Sequence, residues 1–298
     1  MKNNKKTILL TGGSGFIGKN IKESFLSEKY NLISPTSKEL NVTDQDSVDA
    51  CFFDNQIDIV IHSACKPGHR NAKDTSDLFL TNAKMFFNLE KHKHEYEKML
   101  VIGSGAIYDM RHCAPKMKEE YYGTFMPTDE HGFCKYVCEH TIKQSDNIFD
   151  LRVFSIFGKY EDYAIRFISN AICKSIFDLP ITIKQNRFFD FIYVNDLMPV
   201  LAWFIDNNPA HKAYNITPDN AITLLEVAKI VRQIAQKPSL PIQVASEGMA
   251  LEYSGDNSRL KSECGIAFTP LHQAIQELYA WYYNNKSMIY RKLLLFDK

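Results

Sequence analysis

The chain carries no net charge: 35 lysines and arginines stand against 35 aspartates and glutamates in 298 residues. That balance removes any whole-chain electrostatic draw toward nucleic acid or an anionic membrane, so neither is expected as a partner. There is no C-x-x-C pair either. The seven cysteines, at 51, 65, 113, 134, 138, 173 and 264, are scattered and odd in number. Neither a disulfide framework nor a zinc ribbon reads that way, so the expectation is reduced thiols in a cytoplasmic protein with no metal site. No stretch approaches the roughly 18 consecutive apolar residues of a membrane span. The start, Met1 to Lys6, is charged like the first part of a signal peptide, but the apolar run behind it, Ile8 to Leu10, is too short for its core. Repeats, low-complexity tracts and long linkers are missing as well.

What remains is an ordinary globular composition, 45% hydrophobic, in which short apolar runs alternate with longer amphipathic stretches. That rhythm is the mark of βαβ units and a parallel sheet. Thr7 to Thr11 reads as a first strand, followed by Ile17, Ile21 and Phe25 at helical spacing. Leu32-Ile33, Ile57 to His62, Met99 to Gly103 and Asp150 to Phe157 read as further strands, and 74–96 as one long helix. Helices are expected at about 161–178, 223–236 and 270–284. The expected fold is α/β, a Rossmann-type doubly wound parallel sheet with a smaller, mostly C-terminal α/β substrate lobe. Residues 1–160 with about 186–208 would form the dinucleotide domain, and 161–185 with 209–298 the lobe.

Thr11-Gly12-Gly13-Ser14-Gly15-Phe16-Ile17-Gly18 links the first strand to the first helix, with Gly12, Gly15 and Gly18 in G-x-x-G-x-x-G spacing. Such a turn needs bare backbone for a tight bend, for approach to a pyrophosphate and for close helix–strand packing. A merely glycine-rich strand–helix turn has the same letters. The position so near the start, between a clear strand and helix, favours a dinucleotide site.

This spacing, in its T-G-G-x-G-F-I-G form, resembles that of the extended short-chain dehydrogenase/reductases. These are the nucleotide-sugar epimerases, dehydratases and reductases of the NAD-dependent epimerase/dehydratase family. Asp190 to Asp196 and Gly255-Asp256-Asn257-Ser258 resemble later landmarks, so the likeness runs nearly end to end. Glu39 to Asp44 is similar to the corresponding segment of GDP-fucose synthases and related 4-keto-sugar reductases. The resemblance implies an NAD(P)-dependent enzyme acting on a nucleotide sugar, paired as a homodimer through helices at about 74–96 and 130–145.

For the cofactor, it implies contacts from Gly12, Gly15, Phe16 and Ile17, from Asn41 and Val42 beside the adenine, and from Ala64 and Lys135. An NAD site usually has an acid at the end of the second strand, to hold the ribose 2′-hydroxyl. Here Thr36, Ser37 and Lys38 come first, and they suit a 2′-phosphate, so NADP is favoured over NAD. Lys38 as a solvated loop residue is the alternative.

For catalysis the resemblance implies a Ser or Thr after the fifth strand and a Tyr-x-x-x-Lys on the next long helix. Ser104 fits, four residues before Tyr108, although alone it also reads as a strand-end hydroxyl capping its own backbone. In Pro127 to Lys135 the lysine falls in place as Lys135, but His131 stands where the tyrosine belongs. Spacing i, i+4 puts both on one helical face. Imidazole titrates near neutrality unaided, so His131 is a candidate acid/base, the alternative being a site that has lost proton transfer. Neutral imidazole is a ready base for alcohol oxidation and a scarcer acid for ketone reduction.

Family dehydratases carry Asp-Glu directly after the serine or threonine, and GDP-fucose synthases a cysteine two residues after it. Gly105 and Ala106 occupy those places and cannot move a proton. Hydride transfer at one carbon survives. Lys66, Ser104, Arg187 and Arg259 are candidate substrate contacts, the arginines for a diphosphate. His69 is a further candidate after the same strand as Lys66, while His62 reads as a packing histidine. Three functions follow: a 4-keto-sugar reductase, a C4 epimerase with tightly held NAD, or a non-catalytic dinucleotide-binding regulator.

Overall fold

Alternating side chains build the centre of the molecule. In strand β1 (Thr7–Thr11), Ile8 and Leu10 join one apolar cluster and Leu9 the other. In β3 (Ile59–His62), Ile59 and Ile61 go one way and Val60 the other. In β4 (Lys98–Ser104), Leu100 opposes Met99 and Val101. A sheet buried on both faces is what such runs demand. The computed structural model describes residues 5–68 and 75–295 and shows that sheet. With β2 (Asn31–Ile33), β5 (Ile148–Val153) and the strand Ala213–Ile216, it has six strands. Their order is β2-β1-β3-β4-β5 and then Ala213–Ile216, every neighbouring pair parallel.

Helices cover both faces. One cluster holds Val48 and Phe52 of α3 (Gln45–Asp54), Phe86 and Leu89 of α4 (Leu78–Glu90), and Cys134, Cys138 and Ile142 of α5 (Glu130–Gln144). The larger cluster takes Ile21 of α1 (Phe16–Lys22), Leu26 of α2 (Leu26–Lys29) and the helix Val194–Asp206. It continues into the helices Phe167–Ile176, Leu224–Ile234 and Leu271–Asn284. Beside these lies a parallel pair of strands, Ile181–Asn186 and Ile242–Met249. Leu224–Ile234 opens on a full capping box, in which Thr223 accepts from the Glu226 N–H and the Glu226 carboxylate accepts from Thr223.

Four expectations are corrected. No strand forms between β2 and β3, because residues 34–44 run through turns into α3, so Ser104 ends the fourth strand and not the fifth. The helix expected over 74–96 is confined to Leu78–Glu90, with turns from Lys91 onward. The first helix stops at Lys22 and restarts at Leu26, the Ser24 hydroxyl donating to the Ile21 carbonyl and accepting from the Leu26 N–H. The strand expected over 150–157 breaks after Val153. Ile156–Phe157 then pairs with Ile192–Tyr193 away from the main sheet.

Candidate active site

The glycine-rich turn is tight because nothing larger fits. Gly12 has φ +73°, and a β-carbon on it would lie 2.6 Å from the Ala64 nitrogen. At Gly18 a β-carbon would overlap the Gly12 carbonyl, so the first turn of α1 sits directly on the loop. The Gly15 N–H donates to the Gly12 carbonyl at 3.0 Å and closes the bend. Thr11 Oγ1 lies 2.9 Å from His62 Nδ1 and accepts from the Ala64 N–H at 3.3 Å, tying the ends of β1 and β3 together. Burial, then Lys135, pulls His62 down to about 3, so it is a neutral packing residue.

At the end of β2, Ser34 fills the space beside Gly13, and its Oγ is buried without a hydrogen-bond partner. Thr36, Ser37 and Lys38 are exposed. The nearby acid, Glu39, folds back to accept from the Thr36 N–H at 2.7 Å, which holds its carboxyl below the usual range. Asn41 caps Thr43 through its side-chain oxygen at 3.2 Å, and Val42 is buried. A bare cradle with an orphaned hydroxyl beside it fits a dinucleotide.

Ser104 ends β4, and its Oγ accepts from the Ala106 N–H at 3.1 Å as the chain enters a tight turn. The start of α5 leans on that turn: a β-carbon at Gly132 would overlap the Ala106 carbonyl. Asp129 caps the helix by accepting from the Gly132 N–H at 2.8 Å. One turn further on, Lys135 Nζ donates to the Ile102 carbonyl at 3.2 Å, just before Ser104. The end of β4 that carries Ser104 and the first turn of α5 that carries His131 and Lys135 thus adjoin at the carboxyl end of the sheet, where open α/β sheets place their sites. Burial first, then Lys135 and Arg166, pulls His131 down to about 4, with Asp129 opposing. It is a neutral imidazole at neutral pH.

A cavity of about 470 Å³ adjoins on the C-terminal side, lined among others by Arg166, Lys184, Arg187, Phe189 and Phe191. Arg187 Nε donates to the Leu251 carbonyl at 2.8 Å, and its guanidinium lies 5.3 Å from the Phe189 ring centre. Arg259 is placed elsewhere. It pairs with Glu120, lies 3.7 Å from Glu119 and donates to the Ala213 carbonyl at 3.2 Å. Lys66 is clamped through its backbone by the Asn82 amide at 2.7 and 3.2 Å, and its Nζ donates to the Ser76 carbonyl at 2.6 Å. His69 lies outside the described residues. Sequence reasoning did not single out Arg166, Lys184 or Tyr253, which come from segments with no motif. Burial raises the Asp190 carboxyl to about 7, although it accepts from the Gly255 N–H at 2.6 Å. Among the described residues no cluster of metal-ligating side chains forms and no helix is long and apolar enough to cross a membrane.

The chain is similar to known proteins along nearly its whole length. The chain is 24% identical over 306 residues to a GDP-L-colitose synthase of Yersinia pseudotuberculosis, covering 94% of this chain and 99% of that one. A GDP-L-fucose synthase of Sinorhizobium fredii is 26% identical over 251 residues, 77% and 80% of the two chains. The fold is that of a GDP-mannoheptose C4 reductase from Campylobacter jejuni solved with NADP bound. The TM-score is 0.80 at 20% identity, over 95% and 99% of the two chains. A UDP-glucose 4-epimerase from Thermotoga maritima has the same TM-score of 0.80 at 17% identity, over 95% and 100%. The model of the NAD dependent epimerase/dehydratase family matches residues 8–217, from β1 through the last strand of the main sheet, and the chain belongs to that family.

Proposed function

We propose that this protein is an NAD(P)-dependent nucleotide-sugar oxidoreductase that reduces a nucleotide-linked 4-keto sugar at C4, with NADP favoured over NAD. What supports this is the packing of the start of α5, with His131 and Lys135, on the turn that follows Ser104, together with the cavity that Arg166 and Arg187 line. The names of the relatives point to a GDP-linked sugar. When bound, the dinucleotide supplies the hydride donor or acceptor. Ser104 donates a hydrogen bond to the oxygen at C4, and His131 moves the proton at that oxygen. Lys135, anchored on the Ile102 carbonyl, lies against the nicotinamide ribose and disfavours a second positive charge on His131. Arg187, with Arg166 and Lys184, holds the diphosphate.

Residues 1–160 with 186–208 act as the dinucleotide half, and 161–185 with 209–298 as the sugar-nucleotide half. The protein acts in the cytoplasm as a homodimer joined through α4 and α5.

One observation favours a second reading, a C4 epimerase. An imidazole held at about 4 is poor at delivering a proton from solvent, but it can take one from C4–OH in an oxidation and hand it back in the reduction. Mixing the protein with NADPH and a GDP-linked 4-keto sugar separates the two. A reductase consumes NADPH one for one, whereas an epimerase interconverts the C4 epimers of the alcohol with no net change in absorbance. Binding of dinucleotide with no turnover of either kind overturns both.

A further inference from the structure

The chain that follows the helix Leu271–Asn284 is pinned to the molecule at a few points and exposes the rest. Two short helical turns carry it, Lys286–Met288 and Arg291–Leu294. Ile289 and Leu294 are buried in the larger apolar cluster, and the Tyr290 N–H donates to the Tyr163 hydroxyl at 2.8 Å. Around these anchors Tyr283, Met288, Tyr290, Leu293 and Leu295 are all exposed, Tyr290 by 73%. Single apolar residues scattered on a surface are ordinary, but five within positions 283–295 form a concentration that calls for a partner.

The charge of the same stretch has one sign. From 278 to 296 the sequence has no Asp or Glu, and its charged residues are Lys286, Arg291 and Lys292. All three are exposed, and among the described residues no carboxylate pairs with them. Asp162, beside Tyr163, accepts instead from the Ala164 N–H at 3.0 Å. The zero total for the chain conceals this local excess.

We propose that residues 283–295 form a docking surface for an anionic lipid bilayer, on which the protein lies without crossing it. Cations and apolar side chains alternate along the segment, so the partner must offer negative charge and an apolar layer within a few ångströms of each other. A bilayer surface does this. Tyrosine rings suit the headgroup level, where an apolar body and a wet hydroxyl are both accommodated. Lysine and arginine stems lie along the apolar surface while their charged ends reach the lipid phosphates. Neither contribution suffices alone, because shallow insertion is weak and exposed charges are screened by salt; attachment takes both. No helix among the described residues is long and apolar enough to span, which leaves an interfacial mode.

The test is co-sedimentation of the full chain with vesicles of equal parts phosphatidylglycerol and phosphatidylcholine, against vesicles of phosphatidylcholine alone. Binding is expected to the first and not to the second, and added salt should release it. Arg291→Gln with Lys292→Gln should weaken binding about thirtyfold, at about fivefold per charge. Tyr290→Ser with Leu293→Ser should weaken it by about tenfold or more. Arg291 and Lys292 are exposed, so the charge variant decides even if the serines loosen the segment. No sedimentation with the anionic vesicles, equal sedimentation with both kinds, or wild-type binding by the charge variant overturns the proposal. So does a patch that ignores vesicles but whose serine variant lowers the mass measured by light scattering, which would make it a contact between copies of the chain.

Discussion

His131 is the residue on which the proposed chemistry turns. Where the resemblance places a phenol, this chain has an imidazole pulled to about 4 by burial and by its cationic neighbours. At neutral pH the imidazolium that a reduction requires is therefore the minor form. If His131 supplies the proton, the rate of ketone reduction should fall about tenfold per pH unit between pH 5 and 8, while alcohol oxidation stays flat. A pH–rate profile in each direction checks this. His131→Phe should reduce both directions by about 10²- to 10⁴-fold, the usual contribution of a positioned acid or base. His131→Tyr should keep turnover and flatten the reductive profile, because a phenol in this place stays protonated through neutrality. These residues were legible unevenly. Ser104, His131 and Lys135 stand at spacings that a helix and a strand end convert directly into neighbours. Tyr253 reaches Gly105 across some 150 residues of chain, and no local pattern signals such an approach.

Elements carry the precision of the site. The first turn of α1 rests on the glycine loop so closely that Gly18→Ala must push the helix off Gly12 and Gly13. NADPH affinity should drop by about tenfold or more, equivalent to roughly 1.4 kcal/mol, in a fluorescence titration. Strand β5 and helix α5 are held by a buried cation. Arg152 is fully buried, pairs with Glu139 at 2.7 Å and Asp150 at 2.9 Å, and donates to the Tyr108 hydroxyl at 2.7 Å. Tyr108 in turn donates to Asn215 Oδ1 at 2.8 Å, which links the helix that carries His131 to the last strand of the sheet. Arg152→Met strands two carboxylates in the core and should cost about 3–5 kcal/mol in urea denaturation, because their desolvation is then uncompensated. Periodicity made the elements visible, but not their ends. The break in the first helix depends on a single serine hydroxyl, and the short α4 on turns that begin at Lys91.

At the scale of the whole molecule, the balanced charge leaves the ligand recognition proposed above to two local patches, the glycine turn and the Arg166–Lys184–Arg187 wall of the cavity. Pairing of two copies through α4 and α5 would cover Leu80, a half-exposed leucine on the outer face of α4. Leu80→Glu should therefore halve the mass measured by light scattering while leaving the melting temperature close to wild type. A wild-type mass would remove that face from the interface.

The sequence alone determined the α/β rhythm, the glycine-rich turn and the helix that carries His131 and Lys135, because each is written in residues within a turn or two of one another. Tertiary structure decided the rest. It left out a strand between β2 and β3, turned Arg259 toward Glu120 while seating Arg187 in the cavity wall, and set a distant tyrosine over Gly105. These outcomes depend on which surfaces the folded chain brings face to face. Burial then sets the charge states that local spacing leaves open, as it does at His131.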